Sequence, residues 1–75
     1  MKLQVLSEHI EAFKAWLTKN GWAFEKIESP WTAIRVRKND QILNYYSRKG
    51  KQNLTVPAGM ETQVYIEFLD EEVHA

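Results

Sequence analysis

The apolar residues near the start of the chain recur at helical spacing. Between residues 6 and 17 they fall three or four positions apart, which places them along one stripe of an α-helix. Ser7 is the expected N-cap, and Gly21 can adopt the left-handed conformation that ends a helix. We expect the stripe to pack on a sheet. Its members are Leu6, Ile10, Phe13 and Leu17, with Trp16 at its flank.

The middle of the chain has the composition and the alternation of β-strands. Residues 22–28 are rich in residues that strands favour, and Ser29-Pro30 predicts a turn after them. Residues 32–56 then alternate between apolar and polar side chains, with turn residues at two points. The pattern predicts an antiparallel sheet of three to four strands.

The first of these turns, Asn39-Asp40, predicts a two-residue hairpin loop, because both residues tolerate a positive φ. This loop fixes how the strands on either side pair. The predicted pairs are Ile34 with Tyr45, Arg35 with Asn44, Val36 with Leu43 and Arg37 with Ile42.

The second turn, Lys49-Gly50, predicts the next hairpin and gives the same division of faces. Its predicted pairs are Tyr45 with Leu54, Leu43 with Val56 and Tyr46 with Asn53. A slip of one residue would exchange the two faces, so the agreement between the hairpins supports this division. The apolar face then holds Ile34, Val36, Leu43, Tyr45, Leu54 and Val56.

Residues 60–75 fit both a strand and a helix. A strand would alternate Val64, Ile66 and Phe68, whereas a helix would gather Val64, Tyr65, Phe68 and Leu69 on one face. We favour the helix, because it would cover the sheet beside the first helix, although the acidic residues near its end oppose the helix dipole. The sequence therefore predicts an α+β fold in the order α-β-β-β-α, with both helices on one face of the sheet.

Length and composition exclude several classes of protein. A chain of 75 residues predicts one small domain, residues 1–75. The absence of cysteine excludes disulfides, thiolate metal sites and cysteine nucleophiles, and it fits a reducing cytoplasm. The start of the chain does not resemble a signal peptide, and no apolar run approaches the roughly 18 residues of a membrane-spanning helix. We therefore expect a cytoplasmic protein that has no membrane partner.

The formal charge is zero, but the charges are unevenly distributed along the chain. Residues 1–29 are balanced, residues 30–55 carry an excess of five positive charges, and residues 56–75 carry five negative charges. Such a separation steers charged partners even where the net charge is zero.

The polar face of the predicted sheet concentrates positive charge beside an aromatic ring. Arginine and lysine bind phosphates, and a tyrosine ring offers a surface on which a base can stack. The alternative is an ordinary solvated face, protected by its charges against edge pairing. The candidate nucleic-acid-binding residues are Arg35, Arg37, Tyr46, Arg48, Lys49 and Lys51.

Trp31 and the acidic end of the chain give an alternative function, regulation or inhibition of a protein partner. Trp31 can anchor a partner if it is exposed, although a core position is the simpler interpretation. For the acidic end, four interpretations stay open: it neutralises the basic face, repels nucleic acid, imitates phosphate toward a basic protein, or solvates a helix end. Its candidate residues are Asp70, Glu71 and Glu72.

No constellation in the sequence indicates catalysis. His9 lies in the first turn of the predicted helix, where an exposed position is expected, and His74 lies one residue from the end. The two are not spaced as a helical pair of metal ligands, and the three glycines are isolated. We expect a non-catalytic binding module without a metal or cofactor.

The predicted order of a helix, three strands and a helix resembles the double-stranded-RNA-binding domain. The resemblance implies RNA contacts from a lysine cluster that opens the second helix. Residues 58–61 of this chain, AGME, stand at that place, so the lysine contacts are not implied here.

Two short phrases, KNGW at residues 19–22 and LTVP at residues 54–57, resemble those of HicA-type toxins. These are small ribonucleases with the same kind of fold, and the resemblance implies a catalytic histidine where the second strand begins. Residues 29–32, SPWT, occupy that place, so this histidine is missing. In general appearance the chain also resembles small accessory proteins of bacteriophages.

Overall fold

Two helices and five strands form the described part of the chain, residues 3–47 and 52–74, in a computed structural model. The strands are β1 (Gln4–Val5), β2 (Ala23–Phe24), β3 (Thr32–Lys38), β4 (Gln41–Tyr46) and β5 (Leu54–Thr55). Helix α1 (Ile10–Lys19) follows a 3₁₀ turn (Ser7–His9), and helix α2 (Met60–Phe68) continues into a π-helical turn (Leu69–Val73).

The strands form one antiparallel sheet in the order β1-β5-β4-β3-β2. This architecture confirms the α+β class, but the sheet has five strands rather than the predicted three to four. The additional strand is β1, whose two residues are too few to show a period of two in the sequence.

The hairpin of β3 and β4 has the predicted register. Ile34 pairs with Tyr45 and Val36 with Leu43, and the two pairs predicted for the opposite face also form. In the loop, Asn39 has a φ of 56°, a conformation that asparagine tolerates better than most residues. The period of two and the turn residues were therefore sufficient to specify this hairpin.

The predicted register of β4 and β5 is wrong by two residues. Tyr46 pairs with Thr55 rather than with Asn53, which also displaces the pairs predicted for Leu54 and Val56. A shift of two residues keeps every side chain on its own face of the sheet. Leu54 and Val56 are therefore buried as predicted, although their partners differ.

Contacts with the N-terminal segment hold β5 in this register. β5 pairs with β1, and Asn53 Oδ1 accepts a hydrogen bond from the N–H of Ser7 at 3.0 Å. Asn53 Nδ2 donates to Gln4 Oε1 at 3.2 Å. These partners lie about 50 positions away in sequence, out of reach of a hairpin argument. The predicted loop, Lys49-Gly50, lies outside the described residues.

Helix α1 begins later than predicted and ends as predicted. Ser7 is not its N-cap, because it lies in the preceding 3₁₀ turn and makes no capping side-chain bond. At the other end Gly21 has a φ of 90°, and the N–H groups of Gly21 and Trp22 donate to the carbonyls of Thr18 and Leu17. This pair of bonds is the Schellman motif, which satisfies carbonyls that the helix leaves without partners.

The apolar stripe of α1 matches the prediction in its centre but not at its margins. Phe13 and Leu17 are fully buried, and Ile10 is partly buried against them. Trp16, expected at the flank, belongs to the core, whereas Leu6 lies before the helix and is 39% exposed.

A cluster of aromatic rings joins both helices to the sheet. The centroid of the Phe13 ring on α1 lies 5.1 Å from that of Tyr45 on β4, and 5.2 and 5.1 Å from those of Tyr65 and Phe68 on α2. Both helices therefore cover the same face of the sheet, as predicted. The core also contains Val5, Trp16, Leu17, Trp22, Ile34, Val36, Leu43, Leu54, Val56 and Val64.

Helix α2 forms in the segment whose pattern fits both a strand and a helix. The apolar side predicted for the helix is the side that is buried. Its first turn is fixed to β4 by Glu61. The Tyr45 hydroxyl donates to the Glu61 carbonyl oxygen at 2.9 Å, and the N–H of Asn44 donates to Glu61 Oε2 at 3.3 Å. Residue 61, where the RNA-binding resemblance would place a lysine cluster, therefore carries a structural carboxylate.

Phe13 should contribute far more to stability than an aromatic residue at the edge of the core. Phe13→Ala is expected to lower the free energy of unfolding by about 3–5 kcal/mol, because it leaves a cavity among rings. Phe24→Ala removes the same atoms from a side chain that is 48% exposed, and it should cost less than about 1 kcal/mol. Urea denaturation followed by circular dichroism measures both, and equal losses would contradict this packing.

Tyr45 should make the fold sensitive to alkali. Burial raises the pKa of its hydroxyl, and the nearby Glu61 carboxylate raises it further. Above about pH 10 the unfolded chain loses this proton while the folded chain keeps it, so the stabilisation is present below that pH and lost above it. The expected loss from this residue is about 1.4 kcal/mol per pH unit, measured by urea denaturation at pH 8 and pH 11.

Two phenylalanine variants separate this effect from other alkaline effects. Tyr45→Phe should be about 1 kcal/mol less stable than the parent at pH 8, because the bond to Glu61 is lost. It should also lose less stability than the parent between pH 8 and pH 11. Tyr46→Phe, on the opposite face, should keep the parent's alkaline loss, and an identical loss in both variants would refute the role of Tyr45.

Candidate nucleic-acid interface

The face of the sheet turned away from both helices is called here the open sheet face. Directly paired residues on neighbouring strands point to the same side, so the pairing arranges this face in rows. The first row holds Gln4, Thr55, Tyr46 and Thr32, the second Asn44 and Arg35, and the third Ile42, Arg37 and Ala23.

The structure places three of the six predicted nucleic-acid-binding residues on this face. Arg35 is half-buried and Arg37 is exposed, while Tyr46 is 38% exposed. Tyr46 lies one row from Arg35 and two rows from Arg37, so the three side chains are spread along the strands rather than clustered. The other three, Arg48, Lys49 and Lys51, lie outside the described residues.

Acidic residues that the sequence argument missed lie beside the two arginines. Glu25 Oε1 is 3.8 Å from Arg37 Nη1 in a partly exposed ion pair. Glu25, Lys26, Glu28 and Arg35 line a polar hollow of about 230 Å³. The register of β2 would have revealed this, because the N–H of Glu25 donates to the Arg35 carbonyl at 2.8 Å. The positive charge of the open sheet face is therefore partly compensated at its β2 edge.

The acidic end of the chain lies on the helix side of the molecule. Asp70, Glu71 and Glu72 are exposed in the π-helical turn, and Glu72 Oε1 is 4.0 Å from Lys19 Nζ at the end of α1. Glu72 also lines a hollow between this turn and α1. The acidic residues therefore do not lie across Arg35 or Arg37, so they do not neutralise the described part of the basic face.

Trp31 is exposed, contrary to the simpler expectation of a core position. Its side chain is 54% exposed, whereas Trp16 and Trp22 are 4% and 7% exposed. Its backbone is fixed, because its carbonyl accepts bonds from the Ser47 N–H at 2.6 Å and the Ser47 Oγ at 3.3 Å. An exposed indole on a fixed backbone, just before β3 begins, is a suitable anchor for a partner.

The two histidines, which lie near opposite ends of the sequence, line one apolar hollow of about 370 Å³ on the helix side. His9 is half-buried rather than exposed, and its Nδ1 lies 3.4 Å from the Tyr65 hydroxyl. His74 reaches the same hollow through the π-helical turn, in which its N–H donates to the Leu69 carbonyl at 2.7 Å. Because a π-helical bond joins residues five positions apart, this turn places His74 above Leu69. The sequence pattern did not indicate this turn.

The Tyr65 hydroxyl is the titratable group of this hollow whose pKa is shifted. Burial raises the pKa of the Tyr65 hydroxyl, partly offset by the Leu6 N–H and reinforced by Glu8, so the phenol keeps its proton at neutral pH. Within residues 3–47 and 52–74, no group of three or more histidine, cysteine, aspartate or glutamate side chains is placed to hold a metal ion.

No family model, curated protein or solved structure matches this chain. In the part of the chain that the structure describes, no helix has both the length and the hydrophobicity needed to cross a membrane. The geometry of the open sheet face is therefore the main basis for a functional hypothesis.

Trp31 should account for the solvent-accessible part of the tryptophan fluorescence. Acrylamide is expected to quench the parent protein strongly and Trp31→Phe only weakly, because the two remaining indoles are buried. Trp22→Phe is the matched control: it removes a buried indole, so it should leave the quenchable intensity unchanged and raise the quenchable fraction. Weak quenching of the parent, or strong quenching of Trp31→Phe, would show that this indole is covered in solution.

Proposed function

We propose that this chain is a non-catalytic module that binds nucleic acid through its open sheet face. The observation that carries the proposal is that Arg35, Arg37 and Tyr46 share one face of the sheet, which neither helix nor the acidic end covers. Guanidinium groups bind phosphate oxygens, and an exposed phenol ring binds bases by stacking. A face with both features is suited to nucleic acid.

The basic residues that follow β4 extend this proposal. Arg48, Lys49 and Lys51 come directly after Tyr46 and Ser47 in the sequence, so they enter the hypothesis by their position in the chain. Phosphate contacts of this kind hold the partner without reading its sequence. A cytoplasmic location belongs to this proposal and is supported by the cysteine-free composition. A bacteriophage-type accessory role, supported by the general resemblance, belongs to the second candidate function below.

A non-catalytic role is supported by where the titratable side chains lie. His9 and Tyr65 line the hollow on the helix side, remote from the arginines of the open sheet face. A general base must lie within hydrogen-bond reach of the reacting group. On the described part of the open sheet face, the carboxylates that could act as a base lie at the β2 edge. There the Glu25 carboxylate is already paired with Arg37.

A second candidate function is binding of a protein partner, and the exposure of Trp31 favours it. Its indole is the most exposed large apolar side chain among the described residues, at 54%. Tryptophan is enriched among the residues that dominate the energy of protein interfaces. In this hypothesis Asp70, Glu71 and Glu72 contribute a second, acidic contact toward a basic partner.

Nucleic-acid binding should be detectable and strongly dependent on salt. Fluorescence anisotropy of labelled oligonucleotides at two salt concentrations is expected to show affinity that falls as salt rises, because bound phosphates release counterions. Removing both arginines, in Arg35→Ala with Arg37→Ala, should weaken binding and reduce the slope of log K against log salt by about 0.7 per arginine for a single strand.

A variant with the same change of net charge on the helix side is the control. Lys14→Ala with Lys19→Ala removes two positive charges from α1, which lies on the other side of the sheet, and should leave most of the binding intact. If neither single-stranded nor double-stranded oligonucleotides bind at low salt, the proposed function is wrong. In that case the effect of Trp31→Ala on capture of a protein partner tests the second candidate.

A further inference from the structure

The open sheet face carries its apolar and its charged groups on different strands. Along β4, Tyr46, Asn44 and Ile42 occupy alternate positions, so successive side chains are about 6.7 Å apart. The ring of Tyr46 is 38% exposed and the side chain of Ile42 is 39% exposed. β4 therefore presents two exposed apolar surfaces with an amide side chain between them.

The neighbouring strand β3 carries the positive charge. Arg35 is paired with Asn44 and Arg37 with Ile42, so each guanidinium group belongs to a position about 5 Å to one side of β4. On the other side β5 offers the uncharged Thr55 opposite Tyr46. Among the described residues of this face, the cations therefore run parallel to the row of apolar groups, on its β3 side.

We propose that this face binds a single strand of nucleic acid, with its bases over β4 and its phosphates along β3. The inference rests on the function proposed above and names its substrate class. A single strand exposes the flat surfaces of its bases, which can stack on Tyr46 and contact Ile42, while its backbone follows the two arginines. The Asn44 amide is placed to bond to a base edge between them.

A double helix does not fit this arrangement of groups. Its bases are stacked on one another, so it presents phosphates and groove edges and has no free base surface for Tyr46. The aromatic ring thus adds affinity for a single strand and none for a duplex.

Glu25 should act against binding in this geometry. Its carboxylate lies 3.8 Å from Arg37, so a phosphate that binds this arginine must displace it or tolerate its charge. Glu25→Gln keeps the size of the side chain and removes the negative charge. It is expected to tighten binding. The matched control Glu72→Gln removes the same charge from a residue that is paired with Lys19 on the helix side, and it should have little effect.

Anisotropy titrations with three probes test the inference: a labelled single strand, the same strand in a duplex, and a single strand with abasic sites. The parent should bind the single strand more tightly than the duplex or the abasic strand. Tyr46→Ala should weaken binding to the single strand at least about five-fold, and it should leave binding of the other two probes nearly unchanged. Tyr46→Phe keeps the ring and should retain most of the affinity.

The outcomes separate this inference from the function on which it rests. Equal affinity for the single strand and the duplex, with no effect of Tyr46→Ala on either, would overturn the single-strand inference and leave nucleic-acid binding intact. Absence of binding to all three probes would overturn both. Urea denaturation tests whether Tyr46→Ala remains folded. If Tyr46→Ala is unfolded, the affinity of Tyr46→Phe, which keeps the ring, is the second measurement.

Discussion

The ring of Phe13 lies between the two helices and the sheet, and its contacts with Tyr45, Tyr65 and Phe68 join all three. A chain of 75 residues buries a modest fraction of its surface, so a few large side chains supply much of its stabilisation. Burying Tyr45 requires a partner for its hydroxyl, and the Glu61 carbonyl provides one. The same contact fixes where α2 begins on β4, so packing and hydrogen bonding specify one arrangement together.

Placing both helices on one side of the sheet leaves the other side uncovered in the described part of the chain. The arginines of β3 are thereby separated in space from the acidic end of the chain, as they are along the sequence. Arg35 and Arg37 belong to the open sheet face, whereas Glu72 is paired with Lys19 at the end of α1. A molecule of zero net charge then carries these arginines and its acidic end on different sides, which orients an approaching polyanion.

Local patterns predicted the parts of the fold that depend on local contacts. The pairing of β3 with β4 follows from a period of two and from Asn39-Asp40, and both lie within one hairpin. The pairing of β4 with β5 could not be obtained in this way, because a shift of two residues leaves the hydrophobic pattern unchanged. It is selected by β1, a strand of two residues. The arginines of the candidate site lie within the predicted hairpin, so the local pattern found them. Their neighbour Glu25 was missed, because the pairing of β2 with β3 brings it beside them.

The ion pair between Glu25 and Arg37 bears on what the open sheet face can recognise. A partly exposed pair of this kind contributes at most about 1 kcal/mol, so a phosphate can compete for Arg37 without a large loss. Arg35 and Arg37 attract any polyanion, because the attraction depends on charge alone. The attraction is weak and sensitive to salt, since Arg37 is shared with Glu25. Discrimination between polyanions therefore has to come from the uncharged groups that β4 places on the open sheet face. Among these Tyr46 is the one with a π-surface, and stacking on it requires a base that is not already stacked on its neighbours.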